Sequence, residues 1–399
     1  MARRVAPAAA EAVQRRDRGR WRRGAPGGGP GEVERRGGVT TAGEDSSGAS
    51  ATGPENSVAG PPRPRRTGSP VADNGPATQP TACGGLAVII DAHYHLVEDG
   101  FFHDAWWEGI GRTYQGIMRA GGSELPGQPL EIGKGVAAAS VYDPGGARML
   151  ADMEAAGIDG TVFLALDYGL RTGESAVPVI EQNRRVADVA RANPGRVIPL
   201  FTIDPRRDGA LDAFRQAVED WGMKGLKLHC SAGFFPHDEV CHPLYAYCQE
   251  RGLPVLLHTG NQPSPMKARY TMPEHVDDVA ADYGDLTIVC AHLAFAWHPQ
   301  LLSLAAVKPN IYMDFSGWQP SFSRHPEELL AILRRIVDEI GAHRVLWGSD
   351  GPYLNVLMPV AEWRRNFERA ARARGFSEAE LGQLMGDAAA AVYGAARPA

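Results

Sequence analysis

From residue 86 onward the chain repeats one pattern: a short apolar run, and in most cases a helical pattern after it. The runs are Leu86–Ile90, Ile158–Leu166, Val197–Ile203, Gly225–His229, Pro254–His258, Leu286–His292, Asn310–Phe315 and Val345–Asp350. Helical periodicity is read over about Pro144–Ala156, Val177–Asn193, Asp208–Trp221, Val240–Arg251, Pro273–Tyr283 and Pro326–Gly341. Strands that are apolar throughout and alternate with helices imply a parallel sheet covered by helices on its faces. Eight such units over roughly 300 residues predict a closed TIM (β/α)8 barrel across 86–394. The open doubly wound sheet is the alternative, but no Gly-x-Gly-x-x-Gly follows the first run.

Residues 1–85 are a different material. They hold 13 Arg and no Lys against 8 acidic residues, with few large apolar side chains, whereas the remainder carries 28 basic and 39 acidic residues. Such a segment cannot bury enough surface to offset the entropy of ordering it, so it is expected to be a disordered tail. The other source considered is upstream sequence read in from a mis-assigned start. The Arg-rich blocks are read as solvated charge, with neither nucleic acid nor membrane expected as a partner. No apolar core follows Arg3-Arg4 and no run approaches the length of a membrane span, so the expected compartment is the cytoplasm. Five cysteines, Cys83, Cys230, Cys241, Cys248 and Cys290, show no C-x-x-C pairing, which argues against both a disulfide framework and a zinc knuckle.

In a barrel of this kind chemistry sits where strands end. Strand one is expected to end in Asp91-Ala-His93-Tyr-His95, where His93 and His95, two residues apart, can share a face. Strand four ends in Lys227 and His229, strand five in His258, strand six in His292, strand seven in Asp314 and strand eight in Asp350. Each has a bland explanation alone, as a capped core histidine or a turn aspartate. Metal-competent side chains at six strand ends are a pattern that chance does not readily produce. One connection, Leu96 to Asp143, is too long for a turn and carries Phe101, Phe102, Trp106, Trp107, Arg112 and Tyr114; it is expected to lie over the barrel mouth as a lid-like insertion.

Taken in order, Asp91-Ala-His93-Tyr-His95, Gly225-Leu-Lys227-Leu-His229, Pro254-Val-Leu-Leu-His258-Thr-Gly260, Ala291-His292-Leu293 and Trp347-Gly-Ser-Asp350-Gly-Pro-Tyr353 resemble the amidohydrolase superfamily. The resemblance is to its amidohydrolase-related branch, which holds aminocarboxymuconate-semialdehyde decarboxylase and resorcylate decarboxylases beside many hydrolases. It extends over residues 86 to about 394, with Asp387-Ala388 where the branch usually has Asn-Ala. It implies that His93, His95, His258 and Asp350 bind one divalent metal, with zinc expected and manganese or iron as alternatives. It further implies that Asp350 takes the proton of an attacking water and that His292 holds the water or polarises a carbonyl.

Lys227 is open to three uses: a carboxylated bridge to a second metal, a cation that with His229 receives a carboxylate-bearing substrate, or an ion pair with Asp314. The preferred activity is hydrolysis of an amide, ester or lactone. Non-oxidative decarboxylation at the same site is the alternative, and a non-catalytic scaffold the remote one. Several decarboxylases of the branch have Glu at the first histidine position, so His93 leans toward hydrolysis. Trp106, Trp107, Arg112, Phe234, Phe235 and Trp318 suggest a flat or anionic small-molecule substrate, or else packing or a homodimer contact.

Overall fold

The computed structural model describes residues 86–394, apart from Ala87 and Gly121. The expectation of a disordered 1–85 segment, and Cys83 with it, lies outside the described residues.

Eight strands run in sequence order around one sheet: β1 Ile90–His95, β2 Gly160–Leu164, β3 Val197–Thr202, β4 Leu226–Leu228, β5 Val255–Leu257, β6 Ile288–Cys290, β7 Ile311–Asp314 and β8 Val345–Leu346. Each neighbouring pair is parallel. The ring closes through backbone contacts between the first and last segments. Ala92 N–H donates to the Trp347 carbonyl at 3.0 Å, Asp350 N–H to His93 at 2.9 Å, and His95 N–H to Gly351 at 2.7 Å. The TIM barrel expected from the periodicity is therefore the fold, and its strands are buried along nearly their whole length, as sheets covered by helices must be.

Helices α1 Asp104–Ala120, α2 Ala147–Ala156, α3 Val179–Ala192, α4 Ala210–Trp221, α5 His242–Arg251, α6 Glu274–Asp282, α7 His298–Val307, α8 Pro326–Ile340 and α9 Val360–Arg374 occupy the connections and the C-terminal part. The strongly periodic ones match expectation to within a few residues. Three were not expected: α1, in the long connection, and two others. Helix α7 is apolar nearly all round, so it shows little stripe, while α9 hides its stripe of Trp363, Phe367 and Ala371 among arginines and glutamates.

Three local expectations need correction. Strand β1 begins at Ile90 rather than Leu86 and continues through His95, so both histidines lie within it; its register shifts between Asp91 and Tyr94. Strand β8 stops at Leu346, which leaves Asp350 four residues beyond it, in the left-handed region at φ 54°. The long connection after β1 is largely helical, with α1 followed by the helical pieces Pro129–Ile132, Gly133–Ala137 and Ala138–Val141. The signal was present, since Trp106, Ile110, Tyr114 and Ile117 recur every three or four residues. Helix α1 is held close to the loop after β5, where a Cβ on Gly109 would fall 1.6 Å from the Ser264 carbonyl oxygen. Only glycine permits that approach.

Candidate metal centre

The strand ends bring their polar side chains to one buried floor. His93 Nδ1 lies 3.0 Å from Asp314 Oδ2, and both side chains are fully buried. With Nδ1–H donated to that carboxylate, the tautomer puts a lone pair on Nε2, which is the usual way a carboxylate prepares a histidine ligand. Nε2 stands 3.9 Å from Asp350 Oδ1, and His95 Nε2 stands 3.2 Å from the same oxygen. On the other side His292 Nε2 lies 3.2 Å from His258 Nδ1, whose ring also meets the Gln262 amide at 3.1 Å.

His292 is the most constrained of these residues. Its backbone N–H donates to Asp314 Oδ1 at 3.0 Å, Trp318 Nε1 donates to its carbonyl at 2.8 Å, and Ser316 Oγ lies 2.9 Å from its Nδ1. It opens a run of four non-glycine residues in the left-handed region, with φ of 61° at His292, 49° at Leu293, 51° at Ala294 and 46° at Phe295. Each costs about 1–2 kcal/mol relative to the right-handed form, so the surrounding contacts must over-determine the turn. Gly260 supplies part of that support: at φ 100° it leaves room for the Phe295 ring, which a Cβ there would approach to 2.5 Å.

Electrostatics put the groups in ligand form. Burial, reinforced by the nearby Lys227, pushes the His93 imidazole down to about 3, and burial holds His258 and His229 well below the usual histidine range. Burial works to raise Asp350, but the imidazoles of His292, His95 and His93 around it hold the carboxyl at about 2. Neutral imidazoles beside an ionised carboxylate are what a divalent cation requires. Among the described residues, metal-competent atoms that all lie within 4.8 Å of one another belong to His93, His292 and Asp350. His95 borders that group through Asp350, and His258 borders it through His292. His292, expected to act on water or substrate rather than as a ligand, thus sits inside the tightest cluster. The donor set suits a divalent ion.

Lys227 is completely buried, and its Nζ lies 3.3 Å from His93 Nε2 rather than in an ion pair with Asp314. Burial lowers it to about 8 despite the pull of Asp314 and Asp350. His229 stacks on His258 with ring centroids 4.1 Å apart and accepts or donates at 2.9 Å to the Tyr168 hydroxyl.

Above this floor opens a cavity of about 530 Å³. Trp106 and Trp107 line it as the sequence suggests, whereas Trp318 does not and instead donates its Nε1–H to the His292 carbonyl. Arg112 and Phe234 do not line it. Arg112 is exposed and pairs with Glu108 at 2.5 Å, while Phe234 is buried with the Arg206 guanidinium 5.5 Å from its ring. Phe235 packs against Tyr270 and His275. Tyr168, Asn261 and Gln262 line the cavity without having been singled out, since no spacing in the sequence marks them, and Tyr353, the last residue of the Trp347–Tyr353 stretch, lines it without having been given a role. Tyr353 has a buried hydroxyl without a hydrogen-bond partner among the described residues, and its ring lies 5.3 Å from that of His95. The four described cysteines are free and buried, and no described helix is long and apolar enough to cross a membrane.

Comparison with known proteins agrees with this architecture. A stretch of 113 residues is 29% identical to the protein fluG of Emericella nidulans; it takes in 28% of this chain and 12% of that protein. A dihydroxybenzoic acid decarboxylase from a Polaromonas species, solved with manganese and 2-nitroresorcinol, superposes with a TM-score of 0.54 at 16% identity, over 77% of this chain and 97% of its own. An amidohydrolase from Burkholderia multivorans, solved with zinc, superposes at 0.53 and 18% identity, over 77% of this chain and all of its own. At such identities the likeness is one of fold. The family described as Amidohydrolase matches residues 90–395, the whole barrel with its histidine and carboxylate floor, and the chain belongs to that family.

Proposed function

We propose that the protein is a metal-dependent hydrolase that cleaves an amide, ester or lactone carbonyl. The observation that carries this reading is the convergence of His93 Nε2 and His95 Nε2 on one oxygen of Asp350, with His292 within 4.8 Å of His93 and Asp350. His93, His95, His258 and Asp350 are the proposed ligands. A divalent cation bound there would act as a Lewis acid and bring a water's pKa toward neutrality. Zinc is the preferred ion and manganese the alternative, as seen in fold neighbours.

The chain's own groups then have distinct tasks. Asp350, ionised, accepts the proton of the attacking water and passes it to the leaving nitrogen or oxygen. His292, fixed by Asp314, Ser316 and Trp318 with its Nε2 3.2 Å from His258 Nδ1, is the proposed group that holds the water or polarises the reacting carbonyl. Tyr353 remains a protonated donor because burial raises its phenol well above 10, and its unpartnered hydroxyl is suited to the developing oxyanion. His93 is oriented by Asp314.

One observation favours decarboxylation as the second reading. Lys227 places a buried cation at the floor beside His93, where a substrate carboxylate would find a partner. The same amine, if carboxylated, would instead bridge a second ion. Metal analysis of the purified protein, with panels of lactones, amides and hydroxybenzoates and parallel measurement of carbon dioxide, tests these readings. Metal-dependent turnover of a lactone, ester or amide is the expected result. Stoichiometric carbon dioxide from a hydroxybenzoate would reverse the order.

A further inference from the structure

The cavity separates charge from apolar surface between its floor and its mouth. Its charged or metal-competent lining groups are the floor histidines with Lys227 and Asp350, and the rest of the lining carries no formal charge. One wall is the inner face of α1, with Trp106, Ile110 and Ile117. A second apolar stretch of the lining is the 354–357 segment, with Leu354, Val356 and Leu357. Ile117 and Leu357 are 50% and 38% exposed, so two of the five large exposed hydrophobic side chains among the described residues stand on this one cavity. The cation that could have met an anion at the mouth, Arg112, is turned outward to Glu108.

A volume of about 530 Å³ falls within the range of small-molecule sites and far exceeds what a reacting carbonyl group needs. An ionised group against these walls would be desolvated with no opposite charge to meet it, only neutral side chains such as Thr113, Tyr114, Asn261 and Gln262, whereas an apolar one would be stabilised by its burial. We infer that the site takes a substrate whose reacting carbonyl is joined to an extended uncharged body, an acyl chain or an aryl-alkyl group, lying along α1 and residues 354–357 with its end at the lip formed by Ile117 and Leu357. The inference rests on the metal-dependent reading for the head group alone; the body is assigned from the walls.

Straight-chain hydroxamates provide a probe, because the hydroxamate group chelates a divalent ion while the chain samples the walls. Calorimetric titration of the metal-loaded protein would compare acetohydroxamate, butyrohydroxamate and octanohydroxamate with succinic monohydroxamate, whose shorter chain ends in a carboxylate held against the walls instead of at the exposed lip. Affinity is expected to rise by up to about fourfold with each added methylene, and the carboxylate-ended chain to lose most of that gain. Ile117→Asp combined with Leu357→Asp is expected to flatten the dependence on chain length. Equal affinity for the acetyl and octanoyl probes, or tighter binding of the carboxylate-ended one than of butyrohydroxamate, would overturn the apolar body and leave the metal reading standing. No binding of any probe, together with no detectable metal, would overturn the metal reading and the inference with it.

Discussion

The floor and the wall of the cavity are built by different physical means. Floor residues sit on or just past strand ends and are tied by directional bonds: His93 to Asp314, His292 to Ser316, Asp314 and Trp318, and the Asp350 backbone to His93. His93 and Lys227 are entirely buried, and His292 and Asp350 stand in left-handed backbone. The wall is a helix and a turn that meet the cavity mainly with apolar side chains, Ile117 half exposed, with a strong side-chain tie at Asn355, which donates to Asp152 at 2.6 Å. Directional bonds fix single atoms, whereas apolar contact fixes only surfaces. Substitutions at the floor should therefore act on metal binding and chemistry, and those on the wall on substrate preference.

The sharpest way to break that contrast is His93→Ala together with His95→Ala. The expected outcome is metal below about a tenth of an equivalent by elemental analysis and activity lower by at least about 10³-fold. A variant that keeps its full metal would show the floor to be misassigned. Metal removal comes next. With free ion about a hundredfold above its dissociation constant, chelation should lower stability by about 2.7 kcal/mol, read as a fall in Tm. An unchanged Tm, with no metal found, would favour a scaffold protein. Asp314→Asn keeps the shape but weakens the acceptor for His93 Nδ1, and should reduce metal affinity about 10- to 100-fold in competition with a chelator. Affinity unchanged by that substitution would place Asp314 outside the ligand-orienting network.

The smallest effect tests backbone strain. Ala294→Gly relieves about 1–2 kcal/mol of left-handed strain but loses a buried methyl worth about 0.8 kcal/mol and adds up to about 1 kcal/mol of unfolded-chain entropy. The net change should lie within about 0.5 kcal/mol of zero by chemical denaturation. At Ala137, a buried wall residue at φ −69°, the same exchange lacks the relief and should cost about 1.5 kcal/mol. Equal costs at the two positions would mean that the floor carries no more strain than the wall.

The legibility of the two regions in the sequence follows the same line. The floor was readable because strands are short and their polar ends abrupt: after a run such as Val-Leu-Leu or Ile-Val-Cys, a histidine stands out. The wall was harder, because Tyr168, Val356 and Leu357 become neighbours of the floor only through folding and carry no local pattern. Arg112 shows the converse. Its place in an aromatic stretch suggested a role toward substrate, yet on α1 it lies four residues from Glu108 and turns outward to it.

The sequence by itself determined the number and order of strands, the helices with strong stripes, and which titratable side chains stand at strand ends, because each is a local pattern of hydrophobicity and chain position. Only the tertiary structure decided that β1 carries both histidines within it, that the helix already encoded by the spacing in the long connection walls the cavity, and that His292 enters the tightest cluster. Those outcomes depend on closing the barrel and on a left-handed turn held by contacts from other strands, and no neighbour in sequence encodes them.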